Sequence, residues 1–212
     1  MKIYDISRTI SPEIAVWPGD QKFESRLMLK IADGSSVNLS SILLSTHTGT
    51  HADAPYHYLA DGADITELPL EKYIGPALVV ELPASADHIK IEHVKDLNLS
   101  KIKRILFKTK SSQLADSVWT DDIVYLGAET TEFLGKKGIQ LVGMDGPSMD
   151  PVKSKTMDTH KMLARYGIVN LENLLLKDVP AGEYELIALP LKLKGLDASP
   201  VRAVLLEKNA AV

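Results

Sequence analysis

The chain has 212 residues and no cysteine. That absence excludes disulfides, thiolate zinc sites and thiol nucleophiles together. It fits a reducing compartment, and the cytoplasm is the expected location. Positive charge is not in surplus: 24 Lys and Arg stand against 28 Asp and Glu, a net charge of -4. A nucleic-acid binder usually shows a basic face, so that class is disfavoured. No apolar run approaches the roughly 20 residues that a membrane helix needs. The opening "MKIYDISRTI" lacks the apolar core of a signal peptide. No GxGxxG or GxxxxGK[ST] loop occurs, which removes the usual support for a nucleotide cofactor.

What remains is an ordinary globular composition, 45% hydrophobic and 25% charged. A chain of this length buries a real core without covalent staples, and a single domain over residues 1–212 is expected. Strand signals dominate. Lys2–Ser7 alternates apolar and polar residues, and Lys22–Ile31 does so more loosely. Val37 opens a further strand. Ala77–Leu82, Arg104–Thr109, Asp122–Gly127 and Ile139–Asp145 are short apolar runs that read as buried strands. The segments "EYELIALPLKL" and "SPVRAVLLE" read as strands too. Two helices are expected: "TTEFLGKKG" with Gly138 as its left-handed stop, and "MDTHKMLARYG" with Asp158 as N-cap and Gly167 as stop. A weaker helix is expected over Ile91–Leu97. The sum is a strand-rich α/β protein.

The chemistry concentrates in "STHTGTHADAPYH", residues 45–57, which holds three of the six histidines. His47, His51, Asp53 and His57 are all odd-numbered, so an extended chain would project them to one side. A helix is a poor alternative, because Gly49, two β-branched threonines and Pro55 interrupt it. Imidazole and carboxylate suit a divalent cation, zinc among them, and do not by themselves choose the metal. Three protein ligands leave positions open for water, the catalytic pattern, with His57 either a fourth ligand or a nearby acid/base. His88 and His93 sit among charged residues and read as solvated surface.

A second cluster of signals lies downstream. "GMDGPSMDP" (residues 143–151) reads as a loop after a strand, where ligand sites tend to form. His160 follows near the start of a helix, and Glu172 stands between Leu171 and Leu174. The segments "YDISRTISPEIAVWPGD", "STHTGTHADAPYH" and "GMDGPSMDP...KTMDTHKMLARYGIVNLENL" together resemble the bacterial-type kynurenine formamidases (arylformamidases). These belong to a metal-dependent cyclase superfamily that also holds isatin hydrolases.

The resemblance spans nearly the whole chain, and its H-x-G-T-H-x-D-x-P-x-H motif is specific. It implies a swivelling β/β/α fold, a mixed strand-rich, barrel-like core with a few outer helices. It implies metal ligation by His47, His51, Asp53, His160 and Glu172, with Asp53 and Glu172 shared between two ions. His57 matches the proton donor and acceptor, and Trp17 the aromatic contact to substrate. Trp119 is expected to be structural. Two zinc ions per subunit, with manganese as an alternative, a small-molecule aryl formamide substrate and a homodimer complete the expectation. Hydrolysis of N-formyl-L-kynurenine to L-kynurenine and formate is the implied activity. The alternatives are a related amide hydrolase such as isatin hydrolase and, from another class, a non-catalytic metal-binding protein with every coordination position closed.

Overall fold

In the computed structural model, residues 1–207 are described, and positions 208–212 of the expected domain lie outside that part. Among the described residues the elements run β1 (Ile3–Asp5), β2 (Glu24–Leu29), β3 (Leu39–Leu43), β4 (His51–Asp53), β5 (Ile74–Glu81), β6 (His88–Ile89), β7 (Arg104–Lys108) and β8 (Tyr125–Leu126). Then follow α1 (Ala128–Lys136), β9 (Leu141–Met144), α2 (Asp158–Arg165), β10 (Val169–Glu172), β11 (Gly182–Ile187), β12 (Ala198–Pro200) and β13 (Val204–Glu207). Nine strands form one mixed sheet in the order β1-β13-β11-β5-β7-β9-β10-β4-β12, which curls into half a barrel. The pairs β5-β7, β7-β9 and β9-β10 are parallel, and their neighbours on both sides are antiparallel.

The central strands read as continuous apolar runs because both of their faces are covered. Ile105 and Phe107 of β7 pack with Val142, Met144, Leu134 and Leu163 on the helix side. Leu106 and Leu141 pack with Val79 and Leu171 on the opposite face. The layers close tightly at Gly143, where a β-carbon would stand 2.5 Å from Leu106 Cδ2. Both helices lie on one face, so the expected strand-rich core with a few outer helices is what forms.

Several local expectations are corrected. Asp122–Gly127 yields only the short β8, and "SPVRAVLLE" divides into β12 and β13. The helix expected over Ile91–Leu97 is a single 3-10 turn, Ile91–His93. There the Lys90 N–H donates to His93 Nδ1 at 3.0 Å, a cap at the start of the turn. His93 therefore works locally, and His88 stacks on Tyr125 with ring centroids 5.2 Å apart. The hairpin β2-β3 stands apart from the main sheet with every strand residue exposed.

Candidate metal centre and its pocket

Strand β4 lies between β10 and β12. Its register sets His51 opposite Glu172 on one side, and Asp53 opposite Ala198 on the other. Side chains two apart on a strand share a face, so His51, Asp53 and Glu172 converge. Only His51 and Asp53 stand on that strand, which corrects the picture of four residues on one extended segment. Gly49 and Pro55 bend the path on either side. Gly49 has φ 67, and a β-carbon there would lie 3.1 Å from Ile10 Cγ1. Glycine meets both demands, and the resulting turn swings His47 inward. His57 ends a 3-10 turn, Pro55–His57.

His160 arrives from the first turn of α2. Asp158 is the first helical residue rather than the N-cap, and Met157 holds the cap position with φ 53 and no side-chain bond. The capping carboxylate is Asp150, from the preceding loop. It accepts from the Thr159 and His160 N–H groups, each at 3.0 Å. The same carboxylate holds His160 Nδ1 at 2.6 Å.

Three donor groups meet here: His47, His51 and Asp53; Asp53, His160 and Glu172; and, on the more open side, His47, His57 and Asp197. Asp53 and Glu172 stand between the first two. His47 Nδ1 is 3.1 Å and His51 Nε2 3.3 Å from Asp53 Oδ1, and His51 Nε2 is 3.5 Å from Glu172 Oε2. On the other side His160 Nε2 is 3.4 Å from Asp53 Oδ2 and 3.3 Å from Glu172 Oε1. Burial opposes charge on His47 and His51. The nearby carboxylates outweigh it: Asp197 and Asp53 push His47 up to about 9, and Asp53 and Glu172 push His51 up to about 10. Burial would raise Asp53, yet His160, His47 and His51 hold it well below the usual carboxylate range. Glu172 is likewise low, with His160 and His51 outweighing burial and the Asp53 charge.

These donors fit a divalent cation. His51 Nε2 and Asp53 Oδ1 are buried with no hydrogen-bond partner. Orphaned polar atoms of this kind are costly, and an ion between them would satisfy both. The outer nitrogen of each ring is anchored: His51 Nδ1 by Gly49 O at 2.9 Å, His47 Nε2 by Asp197 Oδ2 at 2.9 Å, and His160 Nδ1 by Asp150. Such partners fix tautomer and ring orientation in metal sites.

Three residues of the site escaped the sequence reading: Asp150, Asn170 and Asp197. Asn170 Nδ2 donates to Asp53 Oδ2 at 2.7 Å and to Glu172 Oε1 at 3.4 Å, which clamps both carboxylates. Its signal was present, since it precedes Glu172 by two on one strand. Asp150 lies in the loop "GMDGPSMDP" already marked as a place for ligands, though its own carboxylate carries no local signal; nothing in the sequence marks Asp197.

A cavity of about 470 Å³ opens over the clusters, lined by His57, His160, Glu172, Trp17 and Trp119 among others. The two tryptophans meet edge to face, centroids 5.0 Å apart at 74°. Trp119 therefore belongs to the pocket wall, which corrects its assignment as merely structural. Arg8 and Asp116, 2.9 Å apart, tie the two tryptophan loops together, and the Ala15 N–H donates to Asp116 O at 2.8 Å.

Fold and centre together define an enzyme of the metal-dependent hydrolase class, with a buried donor set at the floor of a substrate-sized pocket. The chain belongs to the family described as "Putative cyclase", whose profile matches residues 4–151. It is 48% identical over 206 residues to the kynurenine formamidase of Salinibacter ruber (strain DSM 13855 / M31), covering 97% of each chain. A solved structure described as a potential metal-dependent hydrolase with cyclase activity superposes with a TM-score of 0.85 at 31% identity, over 99% of both chains. An isatin hydrolase bound to the product analogue thioisatinate shares the fold, with a TM-score of 0.83 at 21% identity over 98% of this chain and 93% of that one.

Proposed function

We propose that the protein is an arylformamidase that hydrolyses N-formyl-L-kynurenine to L-kynurenine and formate. The observation that carries this is the buried His/Asp/Glu set beneath a pocket walled by two tryptophans. Similarity to a kynurenine formamidase along nearly the whole chain supports it. His47, His51 and Asp53 would hold one divalent ion, and Asp53 and His160 a second, with Glu172 shared between the two. Zinc is the favoured metal, and manganese accepts the same donors. When bound, such ions acidify water and polarise the formyl oxygen.

The chain's own residues do the rest. Trp17 and Trp119, packed edge to face, form one wall against which the aryl ring lies. His57 lines the pocket with Nδ1 turned to Asp197 at 3.4 Å, which leaves its other nitrogen for the substrate. It takes a proton from the attacking water and returns it to the leaving nitrogen. A C–O bond forms, the C–N bond breaks, and the proton ends on the arylamine. An arylamine is a weaker base than an alkylamine, so it needs less help to depart.

The working unit is a homodimer of single-domain chains. The hairpin β2-β3 supports this: Leu39, Ile42 and Met28 are 51%, 62% and 50% exposed. An isolated two-stranded hairpin is marginal in water, and exposed apolar patches mark interfaces. Among the described residues no helix is long and apolar enough to cross a membrane, and the cytoplasm is the proposed location.

The test is formate release from N-formylkynurenine beside ring opening of isatin, in metal-replete and chelated protein. Fast isatin opening with no formate release transfers the chain to the neighbouring activity. Turnover that survives complete chelation ends the metal reading.

A further inference from the structure

Asp197 belongs to no part of the histidine motif, yet it touches two of the motif's imidazoles. It immediately precedes edge strand β12, which pairs with β4. The Ala54 N–H donates to Asp197 O at 2.8 Å, which locks its backbone to the chain just after Asp53. The Thr46 hydroxyl donates to Asp197 Oδ1 at 3.0 Å and so fixes the carboxylate plane. The other oxygen, Oδ2, faces His47 Nε2 at 2.9 Å and His57 Nδ1 at 3.4 Å. The two rings lie close, with centroids 4.2 Å apart.

We infer that Asp197 is a positioning residue that serves both halves of the centre through one oxygen. By accepting from His57 Nδ1 it fixes the tautomer that leaves His57 Nε2 bare and facing the pocket. By accepting from His47 Nε2 it turns His47 Nδ1 toward Asp53. The logic is that of a carboxylate behind an imidazole: it does not react, and it decides which nitrogen does. The sharing is what the geometry adds. One carboxylate ties the orientation of the proton-moving ring to that of a metal-facing ring. The inference on turnover rests on the formamidase reading; the inference on ring orientation does not.

Asp197→Asn tests it, because asparagine keeps the size and the Thr46 contact but presents an amide. Three readouts are taken on zinc-replete protein. The first is the nitrogen-15 spectrum of the histidines, which needs no substrate. The parent should show His57 protonated at Nδ1, and the variant should shift toward the Nε2–H form. The second is zinc affinity by competition with a chromophoric chelator, expected to fall about 10- to 100-fold. The third is turnover of N-formylkynurenine at saturating zinc, with kcat falling at least tenfold and KM changing less than threefold. In a His57→Ala background the same substitution should lower kcat less than threefold further, because the ring it orients is gone.

An unchanged His57 tautomer overturns the inference even if the protein has no formamidase activity. Complete loss of one zinc at saturating metal would instead make Asp197 a ligand and also overturns it. Full additivity with His57→Ala overturns the route through His57. Absence of formamide turnover in the parent, with the tautomer shift present, condemns the functional reading alone. Asp197→Glu, which keeps the charge on a longer arm, should recover part of the zinc affinity; no recovery relative to Asp197→Asn counts against the orienting role.

Discussion

Replacing His57 with alanine removes none of the five donors His47, His51, Asp53, His160 and Glu172; its Nδ1 faces Asp197, and its ring lies beside His47 with centroids 4.2 Å apart. The expected outcome is full metal content by elemental analysis and a kcat lower by about 10²- to 10⁴-fold, the usual weight of a positioned acid/base. Loss of an ion would make His57 a ligand. Glu172→Gln is the complementary change. It keeps an oxygen for the Met149 N–H, which donates to Glu172 Oε1 at 2.8 Å, but removes the charge shared by the clusters. No more than one ion per chain should remain, and two retained ions would rule out the bridging role. At this scale the sequence was most legible where chemistry and local period coincide, as at His51 and Asp53. It was least legible where a residue is brought in by tertiary structure alone. Asp197 reaches the motif only because β12 pairs with β4, and no local pattern encodes that pairing.

A helix presents its unpaired N–H groups at its first turn, and α2 hands two of them to Asp150. One carboxylate thereby caps a helix and anchors His160, so helix stability and metal binding are coupled there. Asp150→Ala should cost about 1–3 kcal/mol, the range for losing a cap with a buried bond. Denaturant unfolding would measure it. Chelator competition should show weakened binding in the same variant; unchanged binding would separate the two roles. The strands β7 and β9 were readable because burial on both faces writes an unbroken apolar run, and β5 because its second face is still half-covered at Leu78 and Val80. The α2 cap departs from the sequence expectation for a physical reason. Asp158 has the right chemistry at the right place, but Met157 adopts a left-handed conformation and the cap comes from eight residues upstream of Asp158. The stop signals fared better, since Gly138 and Gly167 both adopt the positive φ that ends a helix.

For the whole molecule, a ligand that binds only the folded chain stabilises it by mass action. At a metal concentration about 100-fold above Kd this is roughly 2.7 kcal/mol. A chain of this size shifts its Tm by about 2–4 °C per kcal/mol, so chelation should lower Tm by several degrees in a thermal melt. An unchanged Tm would mean that the clusters hold no ion. The hairpin predicts assembly: Leu39→Ser with Ile42→Ser should halve the mass seen by light scattering while leaving metal content intact. A persistent dimer would place the interface elsewhere. The residue pattern alone made the sheet legible as strand-rich, and its barrel-like curl came only from the family resemblance, because strand order depends on distant pairings such as β1 with β13. One further property follows from the pocket wall. The chain has 2 tryptophans, and both stand in that wall, 5.0 Å apart. Tryptophan emission from the protein therefore originates at a single spot. An arylamine product arriving there should quench it, so the protein carries its own optical probe of occupancy and needs no attached dye.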